Sequence, residues 1–135
     1  MNHGSNKFQH LAVLAAAGFF AAVAQAATPT ELLNGYVTQS GQAAQAARGQ
    51  AFFTEKHGKE WSCSTCHTTQ PTVNGKHATT GKVIEPMAPA ANAQRFTDAA
   101  KTEKWFRRNC NDVVGRECTA GEKADVLAWL ITLKP

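Results

Sequence analysis

Residues 61–69 read WSCSTCHTT, and within them stands Cys63-x-x-Cys66-His67. At this spacing two thiols reach the two vinyl groups of a haem while the next residue sets its imidazole on the iron. Thioethers from Cys63 and Cys66 would anchor the cofactor covalently, so dilution outside the cytosol could not strip it. The same anchoring orients the His67 ring beneath the iron, which makes His67 the proximal ligand. Two other chemistries use closely spaced cysteines. A zinc site would have to pair this motif with Cys110 and Cys118, whose C-x7-C spacing matches poorly the paired C-x2-C knuckles of such sites. A thioredoxin-like redox pair would need a βαβ setting, and no strand pattern appears anywhere in the chain. The motif therefore reads as one covalent haem c.

All four cysteines lie beyond the first 26 residues. Those 26, MNHGSNKFQHLAVLAAAGFFAAVAQA, have a polar start with Lys7, an apolar run from Leu11 to Ala24, and Ala24 and Ala26 at A-x-A spacing. The apolar run is 14 residues long, short of the roughly 20 that a spanning helix needs. The expectation is a signal peptide at 1–26, export, and a soluble periplasmic domain over 27–135. Removing the one charged residue of that segment, Lys7, leaves 13 basic and 10 acidic residues. They intermix, which speaks against nucleic acid as a partner. In an oxidising compartment Cys110 and Cys118 are free to oxidise.

Helix signals flank the motif. Thr28, Pro29 and Glu31 make a capping box with proline at the first position, predicting a helix to about Gln39 before Gly41. An alanine-rich stretch ending in Phe52 and Phe53 predicts a second helix over about 42–56. Residues 68–96 carry prolines and glycines and keep neither a 3.6 nor a 2.0 period, so they read as a long loop that wraps a bound group. Thr97 as cap and Asp98 in the first turn start a helix to about Val114. Thr119 and Glu122 form a second capping box, followed by a stripe of Val126, Trp129, Leu130 and Leu133.

The other face of the iron has several candidates. Met87 sits in EPMAP, a proline-flanked loop that suits a thioether ligand and suits equally a side chain packed on the porphyrin edge. His57 in EKHGK and His77 in NGKHATT lie among polar residues and read as solvated. Asn109 shares a helical face with Trp105 and Val113, flanked by Phe106 and Cys110. A buried amide left unpaired costs on the order of a few kcal/mol, so Asn109 needs a partner: the iron, loop backbone or water. The residue pattern leaves this choice open, including no ligand at all.

The combination of CSTCH (63–67), GKVIEPMAP (81–89), RFTDAAKTEKW (95–105), RNCNDVVGREC (108–118) and TAGEKADVLAWL (119–130) resembles the SHP family (sphaeroides haem protein) over about residues 29–131. The resemblance implies an all-α class I cytochrome c fold wrapped around one covalent haem, with a long irregular loop. It also implies Asn109 as distal ligand and a disulfide between Cys110 and Cys118. A relative, the cytochrome c-double-prime type, places histidine where this chain has Asn109.

An amide oxygen is a hard, neutral donor that suits ferric iron and holds ferrous iron poorly. The implied function is a monohaem cytochrome whose ferric iron is bound by His67 and Asn109 and whose ferrous iron opens to O2, NO or CO. Electrons would come from a dihaem cytochrome c and a membrane cytochrome b, which makes the chain a redox and gas-binding protein more than a dedicated enzyme. One departure stands out: the family usually carries leucine where this chain has Met87. The alternative is therefore a simple electron-transfer cytochrome with Met87 as permanent sixth ligand. Gly49 and Phe53 in ARGQAFF resemble the pattern by which the first cytochrome helix crosses the last, with Trp129 as partner. Lys76, Lys82 and Arg95 are candidates to pair with haem propionates.

Overall fold

Threonine hydroxyls start the first and last helices. In the computed structural model, which describes residue 1 and residues 26–135, helix α1 spans Pro29–Ser40 and helix α5 spans Ala120–Thr132. Thr28 accepts the Glu31 N–H at 3.2 Å while its own N–H donates to Glu31 Oε2 at 2.7 Å. Thr119 and Glu122 repeat both bonds at 3.2 and 2.7 Å. Gly41 closes α1 in the left-handed region, φ 67°. The signal segment read at 1–26 falls almost entirely outside the described residues.

Helix α2 runs over Ala46–Thr54, shorter than the stretch expected from composition. Its start is set from across the molecule: the N–H of the N-cap, Gln45, donates to Asp125 Oδ1 of α5 at 2.7 Å. Helix α3 is the single turn Cys63–His67. Helix α4, Ala99–Val113, is capped by Asp98, which accepts the Lys101 N–H at 2.9 Å. Thr97, the expected cap, instead donates its hydroxyl to the Gln94 carbonyl at 3.0 Å. Aspartate one residue later competes better because its carboxylate also meets the positive end of the helix dipole.

The expectation of no strand needs correction. Strands β1, Gly75–Lys76, and β2, Val83–Ile84, pair antiparallel, with Gly75 opposite Ile84 and Lys76 opposite Val83. Two-residue strands are too short to show an alternating pattern. The fold is otherwise helical, and the remainder of 68–96 is irregular as read from the sequence.

Helices α2 and α1 both pack across α5. Tyr36, Phe53, Phe96, Ala124, Val126, Leu127, Trp129 and Leu130 form the buried core. Burying side chains of this kind contributes about 1.5–3 kcal/mol each before the entropy of ordering is subtracted. Gly49 lets the α2–α5 crossing close: a β-carbon there would stand 1.9 Å from the Asp125 carbonyl oxygen. Helix α4 has no comparable backbone packing partner among the described residues. Side chains tie it down instead: Phe106 edge-on to Tyr36 at 5.9 Å, Glu103 to Lys123 at 2.7 Å, and a disulfide from Cys110 to Cys118. Among the described residues no helix is long and apolar enough to cross a membrane.

Candidate haem site

The CSTCH segment folds on its own hydroxyls. The Ser62 N–H donates to Thr65 Oγ1 at 3.0 Å, and the Ser62 and Ser64 hydroxyls lie 2.8 Å apart. In the resulting turn Cys63 and Cys66, three residues apart, project to one side, and both are free thiols. Thr68, directly after His67, has φ 63° and ψ 162°, a conformation that a β-branched residue adopts only under constraint. It ends the turn at His67.

Packing from below fixes the histidine. Phe53 lies 5.1 Å from Trp129 and 6.2 Å from the His67 ring between centroids, so α5, α2 and α3 are linked by one aromatic stack. His67 Nδ1 is buried without a hydrogen-bond partner among the described residues. Burial, and after it the positive charge of Arg95, pushes the imidazole down to about 4, so the ring is neutral at physiological pH. Burial also pushes the Cys63 thiol up to about 11. A neutral imidazole directly after two free cysteines fits the residues that would hold a covalently attached haem.

The hairpin of β1 and β2 covers the Cys66 side. Gly75 packs so tightly that a β-carbon would lie 2.0 Å from the Cys66 carbonyl oxygen. The Ala78 N–H points at Cys66 Sγ, 3.3 Å away. Neither contact had a sequence signal beyond the glycine itself.

The remaining candidates separate. His77, expected in solvent, is half-buried, and its Nδ1 accepts the N–H groups of Thr79 and Thr80 at 3.2 Å each. His57, expected in solvent too, is half-buried, with Nε2 2.8 Å from the Phe52 carbonyl and its ring 4.3 Å from the Phe52 ring. Both imidazoles are tied to their own local turns. Met87 packs against the hydrophobic core. The Arg95 guanidinium binds the carbonyls of Pro86 and Glu85 at 2.8 and 2.7 Å.

Asn109 is half-buried. The buried stripe of α4 is Thr102, Phe106, Cys110 and Val113, and Asn109 lies at its edge on the side of Trp105, which is 44% exposed. The face expected to centre on Trp105, Asn109 and Val113 is thus rotated toward Phe106. Arg108 sits over the Trp105 ring, 5.6 Å from its centroid. Asn111 turns its amide back to the Arg107 carbonyl at 2.8 Å, whereas the Asn109 amide makes no such bond. The structure gathers Cys63, Cys66 and His67 into one turn, while Asn109 stands on α4, which is not packed extensively on that turn.

Cys110 and Cys118, Cα atoms 5.6 Å apart, are joined as a disulfide directly after Asn109. The bridge consumes the thiols that a zinc site would have required. Among the described residues no group of three or more histidine, cysteine, aspartate or glutamate side chains is arranged to hold a metal ion.

Comparison with known proteins agrees with this architecture. Residues 39–130 match the family described as Domain of unknown function (DUF1924). The chain is 50% identical over 113 residues to cytochrome c-type protein SHP of Cereibacter sphaeroides, covering 81% of this chain and 87% of that protein. It is 46% identical over 88 residues to cytochrome c'' of Methylophilus methylotrophus, covering 62% of this chain and 61% of that one. Among solved structures, oxidised SHP, described as an oxygen-binding cytochrome c, superposes with a TM-score of 0.74 at 49% identity, covering 78% of this chain and 97% of that one. Oxidised cytochrome c'' from Methylophilus methylotrophus gives 0.71 at 38% identity, covering 79% and 95%. With half its residues shared with SHP across most of both chains, the chain belongs to the DUF1924 family and to the SHP group of c-type cytochromes, whose cofactor is one covalently attached haem c.

Proposed function

We propose that this chain is a redox-gated binder of diatomic gases. Cys63 and Cys66 hold the haem through thioethers and His67 is the proximal ligand. Asn109 supplies the distal ligand to oxidised iron. The haem contributes a metal whose preference for hard donors falls on reduction. The carboxamide of Asn109 therefore grips in the ferric state and lets go when an electron arrives, which frees a coordination position for O2, NO or CO. The proposed electron donors are a dihaem cytochrome c and a membrane cytochrome b. The proposed setting is the periplasm, with a signal peptide at 1–26 removed from a domain at 27–135.

The observation that carries this reading is the Asn109 amide itself. It is half-buried, forms no side-chain hydrogen bond among the described residues, and stands directly before the Cys110–Cys118 disulfide. That a relative sharing half its sequence is an oxygen-binding cytochrome c supports the same reading. Met87 packs on the core, which suits a wall of the pocket better than a ligand.

The test is Asn109→Ala in the haem-loaded protein. Oxidised wild type is expected to be low-spin and the variant high-spin, with haem still covalently attached. A variant that stays low-spin would leave Met87 as the sixth ligand, and Met87→Leu would then be the substitution that changes the spectrum.

A further inference from the structure

Helix α4 carries Asn109 and has no extensive backbone packing partner among the described residues. Asp98 caps its start, and the disulfide from Cys110 pins its last turn. Between those ends lies a cluster of four side chains. Lys123 Nζ of α5 donates to Glu103 Oε2 at 2.7 Å and stands 5.5 Å from the ring centroid of Tyr36 on α1 and 6.0 Å from that of Phe106. Tyr36 and Phe106 meet edge to face, 5.9 Å apart with 89° between their planes. One ammonium thus joins α1, α4 and α5.

Burial within the pair is unequal: the Lys123 side chain is 11% exposed and that of Glu103 49%. An ammonium taken out of water needs its counter-charge, whereas a half-exposed carboxylate keeps water as a second partner. The two rings add their own attraction for the cation. Arg107, the other cation that acts on Glu103, belongs to α4 itself and ties the helix to nothing else. The α5 end of the cluster is firm, because two residues further on Asp125 holds the start of α2. Phe106 stands three residues before Asn109, about 4.5 Å along the axis, and a helix moves as a unit. A shift at Phe106 is therefore passed to Asn109.

We propose that Lys123 is a positioning residue for Asn109: its ammonium latches α4 onto α1 and α5 and so sets where the amide stands. This rests on the reading of Asn109 as the distal ligand. A latched helix also keeps the released amide close, so that reoxidation finds it in place.

The test is hydrogen exchange of the oxidised holoprotein, with its visible spectrum, in wild type, Lys123→Met, Lys123→Arg and Arg48→Met. The last loses an ion pair on the α2 side of α5 and serves as the destabilised control. In Lys123→Met the α4 amides are expected to exchange about tenfold faster, the worth of one largely desolvated cation among rings. The ferric high-spin fraction is expected to rise with it. Lys123→Arg should stay near wild type in both readouts, and Arg48→Met should leave both at the wild-type level. Unchanged α4 exchange in Lys123→Met would overturn the latch, as would an Arg48→Met variant that loosens α4 equally. Should Lys123→Met fail to hold haem, Glu103→Gln cuts the same pair from the α4 side. It is expected to loosen α4 at least as much, because it leaves the ammonium unpaired. Asn109→Ala, run alongside, separates the two readings. If it turns the iron high-spin while a loosened Lys123→Met does not, the positioning role fails and the ligand stands. If it does not, the ligand reading fails, and α4 exchange alone decides the latch.

Discussion

Gly49 and Asp125 touch backbone to backbone: a β-carbon on residue 49 would lie 1.9 Å from the Asp125 carbonyl oxygen and 2.7 Å from the Val126 nitrogen. The side chain of the same aspartate, 4% exposed, accepts from Gln45 N–H at 2.7 Å and from both Nε and Nη2 of Arg48. One residue of α5 therefore fixes both how close α2 comes and where α2 begins.

The crossing leaves no flexible atom to yield, so Gly49→Ala must push the helices apart. Overpacking of a core typically costs about 1–3 kcal/mol, and a backbone-to-backbone clash belongs at the upper end, about 3 kcal/mol. Urea unfolding of the holoprotein is expected to show that loss. A midpoint unchanged from wild type would mean that the crossing is looser than described.

The start of α5 should carry an acid-sensitive share of stability. Hydrogen bonds from Arg116, then the amide and hydroxyl of Thr119, hold Glu122 at about 2, below its ordinary 4.5. Because the folded-state value is the lower one, this stabilisation is fully present above about pH 4.5 and fades as the pH drops toward 2. Arg116 is half exposed, so salt weakens the ion-pair part. Glu122→Gln should be less stable than wild type at pH 7, with the gap closing between pH 4.5 and 2. A gap that is independent of pH would show that the carboxylate charge is not what stabilises the turn.

Closing the loop between Cys110 and Cys118, eight positions apart, removes roughly 2.5 kcal/mol of unfolded-state entropy in the chain-entropy model. The double variant Cys110→Ser with Cys118→Ser is expected to lose about that much in urea unfolding. Because the bridge begins at the residue after Asn109, freeing it should also change the rate at which the reduced protein takes up CO after flash photolysis. Lost stability with unchanged CO kinetics would make the disulfide a plain staple.

Local chemistry in this sequence was legible, and long-range chemistry was not. The capping boxes at Thr28 and Thr119 were visible because each bond spans three residues. CSTCH is legible because haem attachment fixes a spacing, whereas the long-range α2–α5 crossing is read from Gly49, Phe53 and Trp129 only through resemblance to the cytochrome helix pattern. The start of α2 was misplaced because Asp125 sets it from 80 residues away. The β1–β2 pair was missed because two residues show no period. His57 and His77 were read as solvated because a ring bonded to its own turn has the same polar neighbours in sequence as a free one. For Asn109 periodicity gives a helix face but no partner, and its role as distal ligand rests on resemblance and stands as a proposal.

The central claim is that an amide ligand leaves the iron on reduction, and the CO difference spectrum of the dithionite-reduced holoprotein tests it most directly. The account predicts that CO shifts the Soret band of the reduced protein at once. A reduced protein that stays low-spin and shows no change on adding CO would contradict it.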